Sequence, residues 1–158
     1  MTVGIREVDA AVTRPLRLDV LRPGHTPDTV PPGDVAGAVH LAAYDDDELV
    51  GAVAVHEHAF APRPAEPAMQ FSGMAVAEDR RGSGVGAALL AAVVATAERH
   101  GAQVVWCNAR SYARGFYERG GFAAIGDEFI IAAAGNLPHF VMWRRIGNQT
   151  AVPPRPPG

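Results

Sequence analysis

Two stretches of this chain carry residue types that could do chemistry. The first is residues 80–90, RRGSGVGAALL, where Gly82, Gly84 and Gly86 alternate behind two arginines and ahead of an apolar run. Glycine weakens a helix, so helix propensity does not explain three of them here. A glycine-rich turn between a strand and a helix start makes an anion site. The first N–H groups of the helix have no intrahelical acceptor, and the helix dipole favours negative charge. Glycine adds close approach, with no Cβ in the way. The alternative is a helix start whose glycines merely permit packing. The second stretch is residues 108–122, NARSYARGFYERGGF, with Asn108 at the end of an apolar run and Tyr117 among aromatics. A tyrosine hydroxyl can serve as a general acid, and it can equally be a packed structural group.

The remaining titratable residues are thinner evidence. His56 and His58 alternate, so they share a strand face and make half a metal site, which no further cluster completes. Candidates for a general base are Glu57, His56, His58, Glu128 and His139, or a chain of waters. A histidine at a strand start, such as His139 behind Pro138, is more often a satisfied structural residue. The single cysteine, Cys107, lies between Trp106 and Asn108 and reads as a buried, inert thiol.

These residues need elements to hold them. VGIREV reads as a strand and residues 10–21 as a helix in which Pro15 marks a start or a kink. Residues 22–34 form a long proline- and glycine-punctuated loop, of the kind that is often functional. AGAVHLAAY and ELVGAVAVHEH flank Asp45–Asp47 as a hairpin with an acidic tip. AMQFSGMAV is a strand that leads into the glycine loop. Leu89, Leu90, Val93 and Val94 recur at helical spacing up to Gly101, which sits where a C-terminal cap belongs. AQVVWCNA is a buried strand, SYARGFYERG a short helix ended by Gly120 and Gly121, and FAAIGDEFII and HFVMWRRI two closing strands. The order βαβββαβαββ predicts an α/β protein with a mixed sheet of six or seven strands flanked by helices. Residues 1–146 make one domain, and 147–158 a proline-rich mobile tail ending in VPPRPPG.

Composition sets the outer bounds. The chain has 158 residues, a net charge of −3 and no lysine, which gives no support to nucleic-acid binding through a basic field. No apolar run reaches the roughly 20 residues of a membrane span, no signal-peptide core precedes the first strand, and one cysteine fits a reducing compartment. A cytoplasmic protein is the expectation.

Of the phosphate-binding designs, the P-loop needs a lysine after its last glycine, and the dinucleotide fingerprint needs G-x-G-x-x-G. Neither matches G-x-G-x-G. RGSGVG instead resembles the (Q/R)-x-x-G-x-(G/A) loop of the GNAT superfamily of acyl-CoA-dependent N-acetyltransferases. NARSYARGFYERGGF resembles that family's second signature, with Asn108, Ala113, Phe116, Tyr117, Gly121 and Phe122 in register. The strand MQFSGMAV is similar to the family's central strand, and GDEFIIAAAGNLPHFVMWRR to the closing hairpin of a bacterial subgroup. The resemblance spans about Val3 to Arg145, and two signatures in order are far more specific than one.

The resemblance implies a set of roles. The N–H groups of Gly82, Ser83, Gly84, Val85, Gly86 and Ala87 would cradle the CoA pyrophosphate, with charge from Arg81. Arg80 would reach a further phosphate or stay solvated. Met74, Ala75 and Val76 would meet the pantetheine arm through backbone groups, after a bulge beyond which the two central parallel strands splay. Asn108 would bond the arm or cap the next helix, Phe116 would line the cofactor, and Tyr117 would protonate the departing thiolate. Glu128 and His139 would face the acceptor. No metal is implied. The reaction would be direct acetyl transfer from acetyl-CoA to a small primary amine. A protein N-terminus or lysine is the rival acceptor, and a non-catalytic acyl-CoA sensor the rival class. An exposed last strand could support a homodimer, and the acidic hairpin tip could attract a cationic acceptor or be merely solvated.

Overall fold

The computed structural model describes residues 2–146, so the proline-rich tail, residues 147–158, lies outside the described residues. The element order is β1 (Val3–Val8), α1 (Ala10–Leu21), β2 (Val39–Asp45), β3 (Glu48–Glu57), β4 (Ala68–Val76), α2 (Val85–Arg99), β5 (Val104–Arg110), α3 (Arg114–Arg119), β6 (Ala123–Ile131) and β7 (Leu137–Arg145). This is the predicted order. α1 runs through Pro15 rather than starting at it.

The strands form one mixed seven-stranded sheet, ordered β1-β2-β3-β4-β5-β7-β6. β1, β2 and β3 are an antiparallel meander. β4 and β5 run parallel, with Ala68, Met69 and Gln70 opposite Val104, Val105 and Trp106. β7 is antiparallel to both β5 and β6. The last strand is therefore interior, and the sheet ends on β6. This corrects the expectation of an exposed last strand on which a dimer could form.

The chain divides into two compact units, one holding the residues up to Glu57 with Phe71–Thr96, the other His58–Gln70 with the residues from Ala97 onward. In the first, α2 buries Val85, Leu89 and Val93 at i, i+4 and i+8, each with no exposed surface. Full burial of such side chains contributes about 1.5–3 kcal/mol each. Gly51 in β3 makes the packing possible. A Cβ there would lie 2.8 Å from Val85 Cγ1 and 2.9 Å from Leu89 Cδ1. In the second unit, Phe60, Val104, Trp106 and Trp143 form an aromatic-rich core. Phe60 stacks on Trp143 at 5.3 Å, and the Trp106 indole donates to the His58 carbonyl.

Candidate active site

The glycine loop lies in the first unit. β4 ends at Val76, and the Ala77 N–H donates to the Val50 carbonyl, which fixes the exit of the chain beside β3. A turn of 3-10 helix over Glu78–Arg80 follows, then residues 81–84 are exposed up to buried Val85, the first residue of α2. Gly82 and Gly84 have φ of +77° and +94°, values that favour glycine. A Cβ built at either position meets no atom within 4 Å. Packing therefore does not require these two glycines; backbone conformation does, and the space over them is open. Gly86 is different, since it lies inside α2. The Gly84 carbonyl accepts the first helical bond, from Ala88. The N–H groups of Val85, Gly86 and Ala87 thus stand at the helix start, where no carbonyl four residues back is available to them. The Ser83 hydroxyl donates to the Arg80 carbonyl and tightens the turn.

The two arginines behave differently. Arg80 is held by Asp79 at 2.9 Å, Glu48 at 2.9 Å and Asp45 at 3.5 Å. Arg80 thus has its charge paired within the protein by three carboxylates. It braces the β2–β3 turn against the loop, and Asp45 in the acidic tip is accordingly not just solvated. Arg81 is exposed and makes no ion pair among the described residues.

Of the strand residues expected at the cofactor arm, Ala75 is buried, while Met74 and Val76 are half-buried. Just before them Gly73 interrupts β4 with φ +66°. A positive φ inside a strand marks a local break in its extended course, as at a bulge.

Tyr117 lies in the second unit, on α3, 8% exposed. Its ring meets Phe116 at 4.9 Å and Phe122 at 6.0 Å, both edge-on. The Tyr117 carbonyl accepts the N–H groups of Gly120 and Phe122, which closes the helix through Gly121 at φ +88°. Burial pushes the phenol well above its ordinary pKa of 10; Cys107 and Tyr112 add to the rise, and Arg110 opposes it. The hydroxyl is thus a donor at neutral pH. Phe116 is half-buried.

Asn108 sits exposed on β5 between buried Cys107 and Ala109, opposite Val141 of β7. It caps no helix: Arg110 precedes the 3-10 turn and Ala113 precedes α3, neither with a side-chain cap bond. Burial pushes the Cys107 thiol far up, consistent with an inert core residue. Glu128 is exposed, and its carboxylate accepts the Ser111 hydroxyl at 2.6 Å. His139 is 3% exposed, with Nδ1 2.7 Å from the Leu137 carbonyl and its ring against Phe129. A carbonyl only accepts, so Nδ1 carries hydrogen, and in the neutral ring the lone pair lies on Nε2.

His58 Nδ1 bonds the Ala59 carbonyl, and its ring meets Trp106 edge-on. Among the described residues no group of three or more His, Cys, Asp or Glu is placed to hold a metal, and no helix is long and apolar enough to cross a membrane.

Sequence reasoning missed a polar cluster in the first unit. Arg17 is fully buried on α1, bonded to Thr13, Ala10, Pro32 and Asp34. His40 of β2 is 6% exposed, with Nδ1 lacking a hydrogen-bond partner among the described residues. Burial and the Arg17 charge lower its pKa against an opposing pull from Asp34. The available signals were glycines within strands, Gly51 and Gly73, and an arginine at i+4 from a threonine on a helix.

The sheet order, the interrupted β4 and the open glycine loop at a helix start together describe an acyl-CoA-type transferase fold. The acetyltransferase (GNAT) domain profile matches residues 34–140, more than half of the chain, and the protein belongs to that family. It is an acyltransferase by membership. The chain is 29% identical over 110 residues to the uncharacterized N-acetyltransferase YitI of Bacillus subtilis, covering 70% of this chain and 72% of the relative. Its fold is similar to that of Escherichia coli ElaA, with a TM-score of 0.71, 20% identity and coverage of 90% of this chain and 99% of that one. It is also similar to an aminoglycoside 6'-N-acetyltransferase solved with coenzyme A, with a TM-score of 0.67, 19% identity and coverage of 97% and 99%.

Proposed function

We propose that the protein transfers the acetyl group of acetyl-CoA directly to the primary amine of a small molecule. The observation that carries this reading is the loop before α2. Two left-handed glycines stand there under open space, at the start of a helix whose first N–H groups have no helical acceptor. A Cβ at Gly82 or Gly84 would project into that space, so the loop fits a pyrophosphate. Val85, Gly86 and Ala87 donate N–H groups to it, Gly82, Ser83 and Gly84 shape the turn, and Arg81 supplies positive charge. The backbone of Met74, Ala75 and Val76 holds the pantetheine arm in the manner of an added strand. The Asn108 amide bonds the arm, and Phe116 packs beside it. Asn108 supports its role by being an exposed polar residue between two buried neighbours with no helix to cap.

When bound, acetyl-CoA supplies an acetyl group activated as a thioester. A C–N bond forms as the C–S bond breaks; the amine nitrogen gives up one proton and the sulfur takes one. The Val76 N–H stabilises the carbonyl oxygen as charge develops on it. An ordinary thiol has a pKa of about 8.5, below that of the Tyr117 phenol. Full proton transfer from tyrosine to sulfur is therefore uphill in water. Tyr117 instead donates a hydrogen bond that strengthens as the thiolate forms, and the departing thiolate takes its proton from water. Glu128 attracts the cationic amine, and the lone-pair Nε2 of His139 receives its proton.

The test is thiol release from acetyl-CoA against a panel of amines and peptides, with mass spectrometry of the acetylated product from a metabolite extract. Tyr117→Phe, which removes a donor aimed at developing negative charge, should lower kcat about 100-fold while acetyl-CoA affinity holds. Tight acetyl-CoA binding with no thiol release across the panel would sink the enzymatic reading in favour of a sensor.

A further inference from the structure

The buried Arg17 cluster has no part in the roles above. Removing a guanidinium from water costs several kcal/mol even when paired, and a hydrophobic side chain at this position of α1 would avoid that cost. The position of its acceptors shows what the arginine does that a leucine could not. Nε donates to Thr13 Oγ1 at 3.0 Å and Nη2 to the Ala10 carbonyl at 2.9 Å, both on α1. Nη1 reaches out of the helix to the Pro32 carbonyl at 2.8 Å and the Asp34 carboxylate at 3.0 Å. The peptide between Pro32 and Gly33 is therefore pinned from one side by a fixed, fully buried fork.

The other side of that peptide is β4. A Cβ at Gly73 would lie 2.6 Å from the Pro32 oxygen and 3.0 Å from its carbon, and Gly73 has φ +66°. A Cβ at Gly33, φ +90°, would lie 2.8 Å from the Ala54 Cβ of β3 and 3.6 Å from the Ser72 carbonyl. Two glycines and one arginine thus converge on one peptide, directly before Met74.

We propose that Arg17 is a positioning residue for the acyl-CoA strand: by clamping the Pro32 carbonyl against Gly73, it sets the course of Met74–Val76. The inference rests on the acetyl-CoA reading above, since it assigns those three residues to the pantetheine arm. The clamp acts on β4 and leaves the pyrophosphate loop alone. Its loss selectively weakens ligands that carry the arm. Lysine keeps the charge but replaces a planar fork of five donors with a single ammonium.

The experiment compares the affinity of acetyl-CoA with that of 3′-phospho-ADP, which has the adenine, 3′-phosphate and pyrophosphate but no pantetheine arm. Wild type should bind acetyl-CoA more tightly. In Arg17→Lys that preference should fall about tenfold, the equivalent of about 1.4 kcal/mol, with 3′-phospho-ADP affinity unchanged. Gly73→Ala, whose methyl pushes on the same carbonyl from the strand side, should show the same selective loss and decides the matter if Arg17→Lys does not fold. A destabilised fold with an unchanged preference would overturn the positioning role, as would equal weakening of both ligands. If wild type binds neither ligand, the acetyl-CoA reading itself fails, a result distinct from the other two.

Discussion

Gly84→Glu separates anion binding from stability because, relative to Gly84→Ala, it pushes the two in different directions. At φ +94° a side chain is strained by about 1–2 kcal/mol. A carboxylate at the start of α2 recovers about 0.3–1 kcal/mol through the helix dipole. The unliganded variant should therefore be no less stable than Gly84→Ala, which has the strain without the charge. Ligand binding should show the opposite ranking. A glutamate near a phosphate at about 4 Å costs about 1–4 kcal/mol per charge pair, depending on exposure, or roughly a 5- to 1,000-fold loss of affinity. At acetyl-CoA one hundred times its Kd, linkage stabilises wild type by about 2.7 kcal/mol, a rise in Tm of about 5–11 °C for a chain of this size. A 100-fold loss brings that ratio to one and leaves about 0.4 kcal/mol, a shift of about 1 °C. Thermal melts with and without acetyl-CoA measure both quantities. Gly84→Glu retaining the wild-type shift would refute the loop as the pyrophosphate site, whatever its effect on the unliganded melt.

Two further outcomes follow from packing and charge. Gly51→Ala places a methyl 2.8–2.9 Å from Val85 and Leu89; overpacking of this kind costs about 1–3 kcal/mol, and the measured Tm should fall with weakened acetyl-CoA binding as the start of α2 shifts. His40, neutral in its buried place between the Arg17 and Asp34 charges, has a folded pKa below the ordinary 6.5. Above that value both folded and unfolded forms are neutral and stability is at its full level; as pH falls below it, the unfolded chain takes up protons first and stability declines toward the lower folded pKa. Urea unfolding at pH 7.5 and 5.5 should show this decline, and His40→Gln should reduce it. An identical decline in the variant would assign the pH dependence elsewhere.

The ten helices and strands were legible because their signals are local. The Leu89 and Val93 spacing, the alternation along AMQFSGMAV and the glycines at helix ends each act within a few residues. Both family signatures were legible for the same reason, since a loop and the helix after it are contiguous. Arg80 was not. Its charge is paired with Glu48 and Asp45, which flank the tip of an earlier hairpin. Asn108 was open between cap and ligand, and only the structure shows that the cap positions fall at Arg110 and Ala113 instead. His139 was read as an acceptor-facing candidate; the bond to Leu137 now defines its tautomer.

The sequence alone determined the fold class, the element order and the glycine loop at the start of α2, because backbone conformation and hydrophobic period are properties of short segments. Strand neighbours and buried charge belong to the tertiary structure. Nothing local in LPHFVMWRR tells that β7 pairs with β5 on one side and β6 on the other, which leaves β6 at the sheet's end. Nothing local in RPLRLDVL tells that Arg17, a residue whose type favours solvent, is wholly buried with a loop carbonyl in its fork. Both are settled by residues distant in the chain, whose hydrogen bonds form only once the sheet and α1 have come together.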